Sequence, residues 1–255
     1  MNLPMASQAI SAVPIRITTL GLFEVHVCGA RHDVGGARIE QLLRALIAFG
    51  GEHVSHRRLT DALWPDSEGD AGRRVFDTTL HRLRRRLNVD GALEIASGCL
   101  TLSRRRCWVD AWALDSIVAR STHRRARVST SHPPSAETIF ELYGGRLFGD
   151  VSDESWAVSP REELHARVLD WLCQKGGAWE AAGQWDAAAA LYRRALSIDD
   201  LHEPFHRGLL RCHAGLDQRA EFRRSFQRCR DTLRAALGLE PSRETLALAK
   251  RFECY

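Results

Sequence analysis

The sequence predicts a mainly α fold with a small β component, divided into two domains, and three observations carry that prediction. The chain has 255 residues, long for a single unit when domains average roughly 150 residues. Hydrophobic residues make up 44% and charged residues 27%, the balance of a chain that builds packed cores rather than a disordered tail. Residues 120–135 are Ser/Thr/Arg-rich, closed by Pro133 and Pro134, and nearly devoid of core residues; such a stretch reads as a linker. The expected divisions are a flexible N-terminus at 1–14, a mixed domain at 15–119, the linker at 120–135 and an all-helical domain at 136–255.

From Ile15 to Val27 apolar and polar residues alternate, and the pattern breaks at Gly29 and at Gly35-Gly36, as antiparallel strands joined by tight turns do. Three amphipathic stretches follow, at Ile39–Phe49, Ser55–Trp64 and Arg73–Leu87. Leu93–Ser97 and Leu100–Leu102 read as strands, and with Arg104, Arg105, Arg106 and Cys107–Asp110 they predict a terminal hairpin over 93–110. In the second half Ser159, Pro160 and Glu162 predict a helix start, with a capping serine, a proline in the first turn and a glutamate reaching back. Gly183, Gly215 and Gly238 separate apolar-periodic stretches, and Pro241-Ser242 opens a last helix. Gly176, Gly183, Ala188, Tyr192 and Ala195 are spaced as in the 34-residue tetratricopeptide pattern, with Phe222, Phe226 and Cys229 one period later. Two stacked helix pairs follow from that spacing.

Composition excludes several classes. No apolar run approaches the roughly 20 residues of a bilayer-spanning helix, and residues 1–14 lack the basic start and apolar block of a secretory signal. A cytoplasmic protein is expected. Seven cysteines without C-x-x-C spacing predict reduced thiols and no zinc knuckle. There is no G-x-S-x-G elbow and no phosphate-binding G-x-x-x-x-G-K-[ST] loop, so neither an enzyme nor a cofactor is expected.

The net charge of +4 is unevenly distributed: 34 of the 36 basic residues are arginine, and residues 73–107 hold nine arginines against Asp77, Asp90 and Glu94. On a helix over 73–87, Phe76, Leu80, Leu83 and Leu87 form one apolar stripe. Arg74, Thr78, His81, Arg82 and Arg85 lie opposite, with Arg84 and Arg86 on the flanks. Hydrogen-bonding side chains of this kind reach base edges in a major groove, while cations neutralise phosphates. With the hairpin arginines 104–106 behind it, the helix predicts duplex DNA as partner.

The order of sheet, three helices and hairpin resembles the OmpR/PhoB-type winged helix. Arg74 to Leu87 looks like its recognition helix, Ala62-Leu63-Trp64-Pro65 like the end of its second helix, and Ser97 to Leu102 like its wing. The second half is similar to the bacterial transcriptional activator domain of SARP-type regulators. The matching stretches are Leu142 to Gly145, Trp156 with Arg161, Asp200 to Arg207, Arg228 to Leu233 and Leu237 to Ser242. The resemblance implies a winged helix-turn-helix domain followed by a tetratricopeptide-like activator domain. It places Arg74, Thr78, His81, Arg82 and Arg84 at DNA-contacting positions and the loop of Asp66, Glu68 and Asp70 where relatives touch RNA polymerase. Cys99 stands where the family's wing carries an aromatic, and Thr79 replaces a common histidine, so base preference does not transfer. The implied function is a sequence-specific activator that recruits polymerase and binds repeated half-sites as a homodimer. Arg82 and Thr78 are assigned to base edges, and Arg74, Arg84, Arg104, Arg105 and Arg106 to phosphates.

Two alternatives stand beside this reading. One is a tetratricopeptide adaptor with only non-specific DNA affinity. The other is a zinc hydrolase, because His202-Glu203-Pro204-Phe205-His206 matches H-E-x-x-H. Pro204 argues against it, since proline is tolerated only in the first turn and puts His202 at a helix end; His213, further along the same helix, cannot close around the same ion.

Overall fold

The computed structural model describes residues 13–67, 69–122, 135–149 and 154–253. Residues 1–12, Glu68 and most of the expected linker lie outside that set. Strands β1 (Ile15–Thr18), β2 (Glu24–Val27), β3 (Ala30–Arg31) and β7 (Cys107–Val109) form one sheet in the order β3-β2-β1-β7. β1 pairs antiparallel with β2 and parallel with β7. Ile15, Ile17, Val25, Cys107 and Val109 are buried, the alternate positions that turn one face of a sheet inward. β4 (Val54–Ser55), β5 (Leu93–Ala96) and β6 (Cys99–Leu102) form a second sheet, order β4-β6-β5.

Three helices pack on one another and against the second sheet: α1 (Ala37–Ala48), α2 (His56–Leu63) and α3 (Gly69–Leu87). α1 buries Ile39, Leu42, Leu43, Leu46 and Ile47. The Ser55 hydroxyl caps α2 by accepting from the Arg58 amide at 3.2 Å. α3 buries the expected stripe of Phe76, Leu80, Leu83 and Leu87, together with Thr79, whose hydroxyl donates to the Val75 carbonyl at 2.7 Å. α3 starts four residues before the expected Arg73. Gly72 permits this, because a Cβ there would stand 2.8 Å from the Thr60 methyl of α2; the glycine that reads as a loop residue allows close helix packing.

The expected hairpin over 93–110 is shorter. β5 and β6 close at Ser97-Gly98, both with positive φ, while Cys107–Val109 leaves the hairpin to pair with β1 in the first sheet. The parallel pairing seats Cys107 among buried aliphatics, and burial pushes its thiol up to about 12. α4 (Asp110–Thr122) starts at a buried carboxylate. Asp110 accepts from the Thr19, Leu20 and Ala111 amides and from the Thr19 hydroxyl, at 2.6–3.0 Å. One side chain thus caps a helix and holds the end of β1.

By packing, the first compact unit takes in residues 1–120 and 138–165, and the second 121–137 and 166–255. This moves 138–165 out of the helical domain expected at 136–255, and the reason is local. After α5 (Ala136–Leu142), the Phe148 amide donates to the Thr19 carbonyl and the Gly21 amide to the Arg146 carbonyl. A Cβ on Gly144 or Gly149 would stand 2.9 or 2.5 Å from backbone oxygens of Leu20 or Gly21. Trp156 then packs edge-on against Phe49 and Phe148.

α6 (Ser155–Ala181) encloses Pro160, so the helix does not start at the Ser159 cap. Pro160 lies early enough to remove only one helical hydrogen bond, and the Ser159 hydroxyl turns to Glu163 at 2.9 Å. The second unit continues with α7 (Trp185–Ala195), α8 (Glu203–Gly215), α9 (Arg219–Leu237) and α10 (Arg243–Glu253). Gly183 and Asp217, both left-handed, turn the chain into α7 and α9 at positions 34 apart. Tyr192 is wedged between Gly176 and Gly208, where a Cβ would stand 2.4 Å from its ring on either side. These are helix pairs at the expected tetratricopeptide period, joined to the small β component as predicted. No described helix is long and apolar enough to cross a membrane.

Candidate nucleic-acid interface

The apolar stripe of α3 fixes which side faces solvent. Arg74, Thr78, His81, Arg82 and Arg85 are all exposed on the face opposite Phe76, Leu80, Leu83 and Leu87. Thr78 donates its hydroxyl proton to the Arg74 carbonyl at 2.8 Å, which leaves its oxygen outward as an acceptor. Among the described residues, none of Arg73, Arg74, Arg82, Arg84, Arg85 and Arg86 pairs with a carboxylate, although Asp77 is on the same helix. Two of them are engaged elsewhere. Arg84 donates to the Leu93 carbonyl at 3.2 Å and so ties the helix to the hairpin base. The Arg86 guanidinium lies against Gly35, where a Cβ would come within 2.9 Å of its Nε.

Arg104, Arg105 and Arg106 are exposed, but they occupy the turn between β6 and β7, at the opposite end of β6 from the hairpin tip. Arg104 is held there: its Nε donates to Glu52 at 2.8 Å and its guanidinium lies 4.6 Å from the Trp112 ring centre. The Trp112 ring covers Gly51, where a Cβ would approach it to 2.0 Å, and its indole N–H donates to the Ile47 carbonyl. The three arginines are therefore a base-of-hairpin cluster separate from the wing tip.

Ser97-Gly98, read from the sequence as part of the wing, forms this tip, but its contact with α2 escaped the sequence reading. The His56 amide donates to the Gly98 carbonyl at 3.0 Å and the His56 ring lies 3.1 Å from the same oxygen. That contact gathers the start of α2, the tip and the first turns of α3 around a 110 Å³ recess lined by His56, Arg73, Phe76, Asp77 and Ile95. Ile95 is exposed there. The pairing of Ser55 with Cys99 makes this corner, and two-residue β4 is too short to register as a periodic strand.

Of the acidic loop, Asp66 is exposed and Glu68 lies outside the described residues. Asp70 belongs to the first turn of α3, not to a loop.

The H-E-x-x-H residues have separate structural partners. Glu203 opens α8 and accepts from the Ser242 amide and hydroxyl and from the Thr245 hydroxyl. Burial alone would raise its carboxyl, but those bonds and Arg207 outweigh it and hold the group below the ordinary carboxylate range. His206 is buried, and its Nε2 engages the Asp200 carbonyl at 2.8 Å; burial holds it below the usual imidazole range. His213 engages Gln218. Among the described residues no group of three or more His, Cys, Asp or Glu is placed to hold a metal.

Comparison with known proteins places this geometry. The chain is similar in fold to the Mycobacterium tuberculosis EmbR solved in complex with a low-affinity phosphopeptide, at TM-score 0.64 and 19% identity. The match covers 94% of this chain and 65% of that one, so the chain spans somewhat under two thirds of that protein's length. No curated protein sequence matches. The family model described as the bacterial transcriptional activator domain matches residues 109–252. That match, over more than half of the chain, means that the chain belongs to the bacterial transcriptional activator domain family.

Proposed function

We propose that the chain activates transcription from specific duplex sites by seating α3 in a major groove. The observation that carries this reading is the exposed face of α3, where Arg74, His81, Arg82 and Arg85 are left without an acidic partner among the described residues. Leaving so many guanidiniums unmatched on one helix costs self-repulsion, which a polyanion relieves. Arg82 and Thr78 are assigned to base edges, Arg82 as a bidentate donor and Thr78 through its outward oxygen. Arg74 and Arg84 take the flanking phosphates. Arg105 and Arg106 reach a more distant phosphate, with Arg104 the least available because Glu52 and Trp112 hold it. The wing tip at Ser97-Gly98 lies on the helix's own corner and lends backbone contacts beside the first turns of α3.

Asp66, Glu68 and Asp70 are assigned to RNA polymerase, the partner of SARP-type activators. One winged helix offers a small footprint, so two copies on repeated half-sites supply the affinity of a regulator. Activity on DNA places the chain in the cytoplasm.

The test is a binding titration at fixed salt with duplexes selected from a random pool. Arg82→Ala is expected to cost about 1–3 kcal/mol and to relax base preference. Unchanged affinity and unchanged preference would refute the assignment. In transcription assays, neutralising the three acids is expected to abolish activation and spare DNA binding; loss of binding instead would refute the polymerase contact. An adaptor would bind random and selected duplexes alike.

A further inference from the structure

We infer that the second unit carries a binding site for a small phosphate monoester, in the recess between α7, α8 and α9. The recess has a volume of about 570 Å³, within the range of metabolite pockets. Leu196 and Leu209 supply an apolar part, and Arg193, Arg224 and Arg228 bring three guanidiniums to it. Only one carboxylate, Glu221, lines the same space, and it pairs with Arg224 at 2.5 Å. Arg193 and Arg228 have no carboxylate partner among the described residues.

The contrast with the surrounding arginines makes these two informative. Neighbouring Arg194, Arg211 and Arg234 each have a glutamate within ion-pair distance. Arg193 on α7 and Arg228 on α9 are exposed and line one common, open recess. The lining has three arginines against one glutamate, an excess of two positive charges that a phosphate monoester, carrying about −1.5 to −2 at neutral pH, would balance. Planar guanidinium forks suit phosphate oxygens in pairs, and the Ser225 hydroxyl in the same lining adds a neutral donor. His206 and His213 are already committed to the Asp200 carbonyl and to Gln218, so they form a wall and leave the anion to the arginines.

The site lies wholly in the second unit and its occupancy does not depend on the DNA reading. Calorimetric titration of the full chain with phenyl phosphate is expected to show saturable binding at one site, with benzyl alcohol silent. Arg193→Ala and Arg228→Ala are each expected to weaken it about tenfold or more. Arg223→Ala, an exposed arginine outside the recess, and Arg82→Ala on α3 are expected to leave it unchanged. A thermal melt that matches the unsubstituted chain shows that each variant is folded. Absence of saturable binding, or binding that survives the double substitution of Arg193 and Arg228, would overturn the site. So would loss of phenyl phosphate binding in Arg82→Ala, which would move the anion to the DNA face. If the double variant instead loses duplex affinity while phenyl phosphate never binds, the two arginines belong to a nucleic-acid surface and the inference fails.

Discussion

The arginines of α3 and those of α8 are the same residue type on amphipathic helices, yet they are treated oppositely. On α8, Arg207 pairs with Glu203 and Glu244 and Arg211 with Glu180; α9 is mixed, with Arg224 on Glu221 and Arg234 on Glu240 but Arg228 unmatched among the described residues. On α3 no guanidinium pairs with a carboxylate among the described residues, even with Asp77 one turn from both Arg73 and Arg74. Matched arginines hold a structure together, whereas unmatched ones on a rigid helix form a field available to another molecule. Arginine enrichment alone therefore says little about function in this chain. What separates the two regions is whether acids were placed beside the cations.

The comparison is sharpest where substitutions move stability in one region and binding in the other. Gly208→Ala drives a methyl into the Tyr192 ring, 2.4 Å away. It is expected to cost about 3 kcal/mol by overpacking, read in a chemical melt, while DNA affinity of the folded protein persists. Arg82→Ala is the mirror case: about 1–3 kcal/mol of operator affinity is lost with no change in melting. If Arg82→Ala lowers the melting temperature as much as it lowers affinity, the division between regions fails.

Smaller effects sharpen the same division. Arg211→Ala leaves Glu180, a mostly buried carboxylate that also accepts from the Tyr192 hydroxyl, without its cation. Arg211 is itself partly exposed, so a loss of about 1–2 kcal/mol of stability is expected, with DNA binding unaltered. Glu203 adds a pH signature. Its carboxyl lies below the ordinary range in the folded chain, so its contribution is fully present above the unfolded carboxylate pKa near 4 and is lost as pH falls through the lower folded value. Glu203→Gln should flatten that acid limb of the stability profile. The smallest effect belongs to Arg57→Ala, whose pairing with Asp61 at 3.6 Å is solvent-exposed on both sides; under about 0.5 kcal/mol is expected.

How far the fold was readable in the residues depends on whether the cause was local. The α3 stripe was readable because a 3.6-residue period over Phe76, Leu80, Leu83 and Leu87 leaves one burial solution. The helix pairs were readable because Ala188, Tyr192 and Ala195 are answered by Phe222, Phe226 and Cys229 one 34-residue period later, although the second left-handed turn uses Asp217 where the first uses Gly183. What escaped was non-local. Nothing near Gly144 and Gly149 announces that they are small so that the backbone of Leu20 and Gly21 can approach, and that approach assigns 138–165 to the first unit. The start of α3 was hidden because Gly69 and Gly72 carry poor helix propensity, outweighed by packing on α2. At the candidate interface, the face of α3 followed from helical geometry. The separation of Arg104 to Arg106 from the wing tip did not, because it depends on β7 pairing with β1 across most of the domain.

The most direct measurement is the salt dependence of duplex binding, taken for the unsubstituted chain and for the Arg74→Ala/Arg82→Ala/Arg85→Ala variant. Phosphate neutralisation releases counterions, so the logarithm of affinity falls linearly with the logarithm of salt, by about 0.9 per contact. The variant is predicted to bind more weakly, with a shallower slope and little discrimination between selected and random duplexes, at an unchanged melting temperature. Equal affinity, slope and discrimination in the two proteins would show that this face of α3 does not meet DNA.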